Sequence, residues 1–142
     1  MNLIVPDASV AVKWCLPVAE TLVEAAVNLL NRHHERHITF LVPDLFWTEF
    51  GNVMYKAVRQ GRCTPELALD AIRTVRAWAL PTVPSANLLE LAFQISQQYQ
   101  RTFYDSVYIA LAVSQHATLI TADERLANAV GGYLPVKWLG AM

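Results

Sequence analysis

Four stretches of the 142-residue chain each bring a candidate acid beside apolar residues: Asp7 in PDASVAVKW, Glu49 in VPDLFWTEFGNVM, Asp105 in FYDSVYIALA and Asp123 in LITADERL. Carboxylates gathered at one place raise one another's pKa unless a cation sits among them. A donor set made only of oxygens selects a hard ion, Mg2+ or Mn2+. Mg2+ usually takes one or two carboxylates and completes its shell with water and substrate phosphate, which leaves the remaining acids to orient water. That is the chemistry of phosphodiester hydrolysis.

Each acid also has a purely structural alternative. Asp7 follows the strand-like run NLIV and Pro6. At the carboxyl end of a parallel strand it would face the place where ligands bind, and it could equally cap a helix running into Ala8–Val12. Asp123 comes two residues after the strand-like ATLIT and would reach the same sheet edge if the two strands are neighbours, or else compensate a helix dipole. Asp105 stands three residues after Thr102, a capping-box spacing that a structural acid would share.

Glu49 is more informative. At about 100° per residue, the apolar arc of its helix runs through Val53, Phe46, Phe50, Met54 and Trp47, with Glu49 at the edge. Beyond it a polar stripe continues through Asn52, Lys56 and Arg59. These three are candidates for contact with a phosphate backbone, against the alternative of a solvated helix face. Ser9 and Thr121 are candidates for supporting the acids.

Other chemistries find less support. His33 and His37 are spaced for a transition metal on a helix, but no third ligand is evident, and cations near a helix C-terminus account for them better. Cys15 and Cys63 stand alone, which indicates neither a disulfide framework nor a zinc site. There is no glycine-rich phosphate loop, no GxSxG and no nucleophile beside an obvious histidine base.

The acids need elements to position them. NLIV is a first strand; a long helix is expected from Glu20 to about Arg36, and ITFLV is a second strand ending before Pro43. Asp44 is expected to cap the helix DLFWTEFGNVMYKAVRQ, and Thr64-Pro65-Glu66 starts its partner in a helical hairpin. LPTV is a weak third strand, followed by helices through LLELAFQISQQY and YDSVYIALAVSQ. ATLIT is the fourth strand, Thr121 and Glu124 have capping-box spacing for a short helix, and LPVKWL supplies a fifth strand. Strands alternating with helices predict an α/β fold, a parallel sheet covered on both faces, with no boundary within residues 1–142.

Hydrophobic residues make up 54% of the chain and charged ones 16%, against about a quarter in typical domains, so some apolar surface is expected to meet a partner. The helical hairpin is rich in large side chains: Phe46, Trp47, Phe50, Met54 and Tyr55 on its first helix, and Leu67, Leu69, Ile72 and Trp78 on its second. A net charge of −1 does not announce a nucleic-acid binder, so any such contact must rest on local clustering. With no apolar run of about 18 residues and no basic start before an apolar segment, the expected location is the cytoplasm, away from membranes.

Taken in order, PDASVAVKW, VPDLFWTEFGNVM, FYDSVYIALA and LITADERL resemble the PIN-domain ribonucleases, in particular the VapC-type toxins of bacterial toxin–antitoxin pairs. The resemblance spans nearly the whole chain. It implies a PIN-like three-layer sandwich around a parallel sheet of order 3-2-1-4-5, and Mg2+- or Mn2+-dependent cleavage of RNA. It also implies a cognate antitoxin that blocks the site. The family's acids fall on Asp7, Glu49, Asp105 and Asp123, with Asp7 and Asp105 as direct metal ligands and the other two acting through water or a second ion. Ser9 and Thr121 match supporting positions; a homodimer is expected on separate grounds, the hydrophobic excess and the large side chains of the helical hairpin. Pro6 stands where many relatives carry an aliphatic residue, which removes no functional group. Two alternatives differ in class: a metal-free PIN scaffold used only for binding, and a phosphoacceptor receiver domain. The receiver requires an acidic pair after the first strand, where this chain has Asp7-Ala8-Ser9.

Overall fold

The computed structural model describes residues 2–16 and 18–142. The chain enters as strand β1 (Asn2–Pro6), helix α1 (Ala8–Cys15) and helix α2 (Val23–His34). Two short strands follow, β2 (Ile38–Phe40) and β3 (Val42–Pro43), then the hairpin of α3 (Leu45–Arg59) and α4 (Pro65–Ala77). Strand β4 (Thr82–Val83) and a 3-10 turn lead into α5 (Leu89–Tyr99) and α6 (Phe103–Ser114). Strand β5 (Thr118–Thr121), α7 (Glu124–Val130) and β6 (Val136–Trp138) complete the fold before a last 3-10 turn.

The architecture is an α/β fold with a parallel sheet flanked by helices. Its main sheet runs β2-β1-β5-β6, with Ile4 opposite both Phe40 and Thr118, and Thr121 opposite Trp138. The expected single five-stranded sheet is corrected in one respect. The second predicted strand is broken at Leu41, so β2 pairs with β1 while β3 pairs with β4 in a separate two-stranded piece. The Leu41 N–H still bonds Ile4 O at 3.0 Å, but the Val42 N–H turns to Pro81 O at 3.0 Å. An apolar run buried on both sides gives no sign of which neighbour it pairs with.

Helix α6 is buried on every side from Ser106 to Ala112 because it packs against β1, β3 and β5 and is backed by α5. A helix apolar all round must be enclosed in this way. Its Thr102 cap accepts from the Asp105 N–H at 3.1 Å. The hairpin contributes Phe46, Phe50 and Met54 to the core, whereas Tyr55, Leu67 and Leu69 are exposed. Trp78 is partly buried and packs against Trp14 and His34.

Two predicted caps differ from the structure. Asp44 has a helical backbone and makes no cap bond; its carboxylate accepts from the N–H and hydroxyl of Ser85 instead. The short helix α7 is capped by Asp123, not Thr121, because β5 is still extended through Thr121. Lys13, 5% exposed, is paired with Glu20 at 2.8 Å, and Arg62 reaches the same carboxylate at 3.0 Å. This pair of bridges ties the connection after α1 to the turn of the hairpin. Among the described residues no helix is long and apolar enough to cross a membrane.

Candidate active site

Parallel strands joined through helices force those helices to run back against the sheet. Helices α1, α3 and α7 therefore begin near the carboxyl ends of the strands they follow, and α6, which precedes β5, points its first turn to the same edge. Asp7 and Asp123 cap α1 and α7, Asp105 lies in the first turn of α6, and Glu49 is the fifth residue of α3. All four line one open cavity of about 310 Å3. A larger hollow of about 610 Å3 beside α2 holds a single carboxylate, Glu24.

The Asp7 Oδ1 atom accepts from the N–H groups of Ser9 at 3.1 Å and Val10 at 3.3 Å, and from the Ser9 hydroxyl. Ser9 Oγ in turn accepts from the Ala122 N–H at 3.1 Å, tying the end of β1 to the residue after β5. Thr121, fully buried, accepts from the Asp123 N–H at 3.0 Å. Asp123 accepts from the Leu126 N–H at 3.2 Å. The capping and the cavity-facing roles weighed for Asp7 and Asp123 thus coexist in the same side chains.

Asp7 keeps some exposed surface but is densely surrounded by protein, and burial pushes its carboxyl up from 3.8 to about 6 against the lowering effect of Ser9, Thr121 and Val10. The neighbouring charge of Asp105 pushes in the same upward direction. Asp105 is itself raised, first by burial and then by Asp123, while Thr102 and Arg101 oppose the rise. Among the described residues none of the four acids forms an ion pair. Helix starts supply partial positive charge, but only a cation would neutralise the cluster.

The donor set fits a hard divalent cation: it is all oxygen, partly buried and mutually repelling. Among the described residues no group of three or more His, Cys, Asp or Glu is close enough to enclose a metal unaided. An ion here would therefore complete its shell with water and phosphate, the habit of Mg2+.

Of the remaining candidates, Ser9, Thr121, Asn52 and Lys56 line the same cavity, and Arg59 does not. Arg59 is ten residues beyond Glu49, about 15 Å along the helix axis. His33 is no cation at a helix end: its Nδ1 accepts from the Phe40 N–H at 3.2 Å, its ring stacks on Phe40, and burial lowers its pKa. His37 lies past the helix in an exposed contact with Glu35. Tyr108 also lines the cavity and was not singled out from the sequence. The available signal was its place three residues after Asp105, on the same helix face, in an otherwise apolar segment.

The family model for the PIN domain matches residues 4–131. Ribonuclease VapC1 of Mycobacterium tuberculosis is 35% identical over 92 residues, 63% of this chain and 66% of that protein, so the matched stretch falls just short of two thirds of the relative. Ribonuclease VapC3 of Pyrobaculum aerophilum is 29% identical over 130 residues, covering 90% of this chain and 94% of that one. A solved Pyrobaculum aerophilum structure superposes with a TM-score of 0.70 at 21% identity, covering 99% of this chain and 85% of its own. VapBC2 from Rickettsia felis, solved with a DNA fragment from its promoter, gives 0.65 at 12% identity with 96% and 98% covered. At those identities the structures speak to the fold, which they share with this sheet and its helices. The chain belongs to the PIN domain family, and its curated relatives carry the name of VapC ribonucleases.

Proposed function

We propose that the chain is a metal-dependent endoribonuclease and the toxin of a toxin–antitoxin pair. The observation that carries this reading is the convergence of Asp7, Glu49, Asp105 and Asp123, from the starts of four helices, on one cavity. Asp7 and Asp105 are the residues to hold Mg2+ or Mn2+, being the pair whose carboxyls are raised and repel each other. The bound ion would supply the positive charge that polarises a scissile phosphate. Glu49 and Asp123 orient the attacking water and accept its proton. Ser9 and Thr121 hold the Asp7 carboxylate in place, and Asn52 and Lys56 meet the RNA backbone at the cavity's side. Arg59, farther along the same helix, would extend that track beyond the cavity.

An antitoxin partner is supported by the VapBC complex among the related folds and by the exposed Tyr55, Leu67 and Leu69 on the hairpin. Exposed apolar side chains of this kind suit an amphipathic partner helix, and an arginine or lysine from that partner would neutralise the acids. We also take residues 1–142 as one nuclease unit, homodimeric and acting in the cytoplasm, where its RNA would be.

The metal mechanism is tested by chelation. Protein treated with EDTA should lose RNA cleavage and regain it on adding Mg2+ or Mn2+. Full activity in EDTA would contradict it.

A further inference from the structure

Tyr108 is 3% exposed, and its hydroxyl has no hydrogen-bond partner among the described residues. A buried hydroxyl without an acceptor is destabilising, and among the described residues only the Arg62 Nε shares that condition, on a guanidinium that is paired with Glu20 through another nitrogen.

Three carboxylates act on that hydroxyl: Glu49, Asp7 and Asp105. The Oδ1 atom of Asp7 already accepts three hydrogen bonds at the start of α1. Asp105 shares α6 with Tyr108, and its carboxyl is offset by Thr102 and Arg101. Glu49 comes from α3 and lines the same cavity, forms no ion pair among the described residues, and is the acid with the largest influence on the tyrosine. Burial and these charges hold the hydroxyl protonated, well above its ordinary range, so it stays a donor at every working pH.

We infer that Tyr108 is the positioning residue for Glu49, its hydroxyl turning to donate to the Glu49 carboxylate and holding that acid toward the reacting water. The contact falls short of a formed hydrogen bond in the structure. A glutamate side chain has the rotamer freedom to close it. The inference rests on the ribonuclease reading above, in which Glu49 handles water.

The test is Tyr108→Phe, which removes the hydroxyl and keeps the ring. With an RNA oligonucleotide and Mn2+, kcat should fall about 10- to 100-fold while KM stays within about threefold, the pattern of an interaction made in the transition state. The melting temperature should be unchanged or higher. In a Glu49→Ala background the same substitution should change the residual rate by less than about twofold, because the two side chains act as a unit. A wild-type kcat in Tyr108→Phe overturns the inference, as does a full further loss in Glu49→Ala. So does a melting temperature well below wild type, since the hydroxyl would then be supporting the fold. If wild-type protein cleaves no RNA with either metal, the ribonuclease reading falls and takes this inference with it.

Discussion

Asp7 concentrates the electrostatic strain of the site, and its titration has a definite sign. Its carboxyl is raised from 3.8 to about 6 in the folded chain, so the protonated form is favoured by folding. The stability from that preference is fully present below about pH 3.8 and is lost as pH rises through 6. The rise is equivalent to at most about 3 kcal/mol. Metal-free protein should therefore become less stable between about pH 4 and 6, and Asp7→Asn should gain about 1–3 kcal/mol over wild type at pH 7 and almost nothing at pH 4. Thermal melts in EDTA across that range measure it, and equal pH profiles for the two proteins would contradict it. Ser9 links this acid to the neighbouring strand through Ala122. Ser9→Ala should cost about 1–2 kcal/mol and also slow cleavage, because the Asp7 carboxylate loses one restraint. Denaturant titration and single-turnover rates read the two effects separately. The residue types pointed to all four acids, but Tyr108 was lost among apolar neighbours that carry the core of α6.

At the scale of elements, helix starts do most of the positioning. Alternation and spacing in the sequence were enough for the main strands and helices, and Thr64 and Thr102 cap where their spacing predicts. The misses are places where tertiary context chose between equivalent local options. Thr121 and Asp123 both precede the same helix, and the pairing of β5 with β6 keeps Thr121 in the sheet. Asp44 could have capped α3, but its backbone is already helical and Ser85 takes its carboxylate. The ITFLV run changes partners at Leu41 because both neighbours present the same kind of backbone edge. The buried Lys13 depends on Glu20, which also holds Arg62. Glu20→Ala should cost about 3 kcal/mol by leaving Lys13 uncompensated, with cleavage retained well below the melting temperature. A urea titration checks the cost, and a loss under 1 kcal/mol would show that the network contributes little.

For the whole molecule, parallel topology gathers distant acids: Asp7 and Asp123 lie over a hundred residues apart in the chain and flank neighbouring strands. Such a meeting could be read from the order of the four acid-bearing stretches, whereas the reach of the polar stripe could not. The helical period aligns Arg59 with Lys56 and Asn52 but does not say where the cavity ends. The hydrophobic excess divides in the same way, with Phe46, Phe50 and Met54 taken by the core and Tyr55, Leu67 and Leu69 left outside. Sedimentation at micromolar concentration should find a dimer, and a strictly monomeric species would remove that part of the proposal. The central claim is that these acids cut RNA with a divalent ion, and it is tested most directly by cleavage of one RNA oligonucleotide in Mg2+ by wild type, Asp7→Asn and Asp105→Asn. Both variants should lose at least about 100-fold in rate, roughly the scale at which removal of a preorganised charge is felt, while melting at or above the wild-type temperature. Undiminished cleavage by both folded variants would contradict the account.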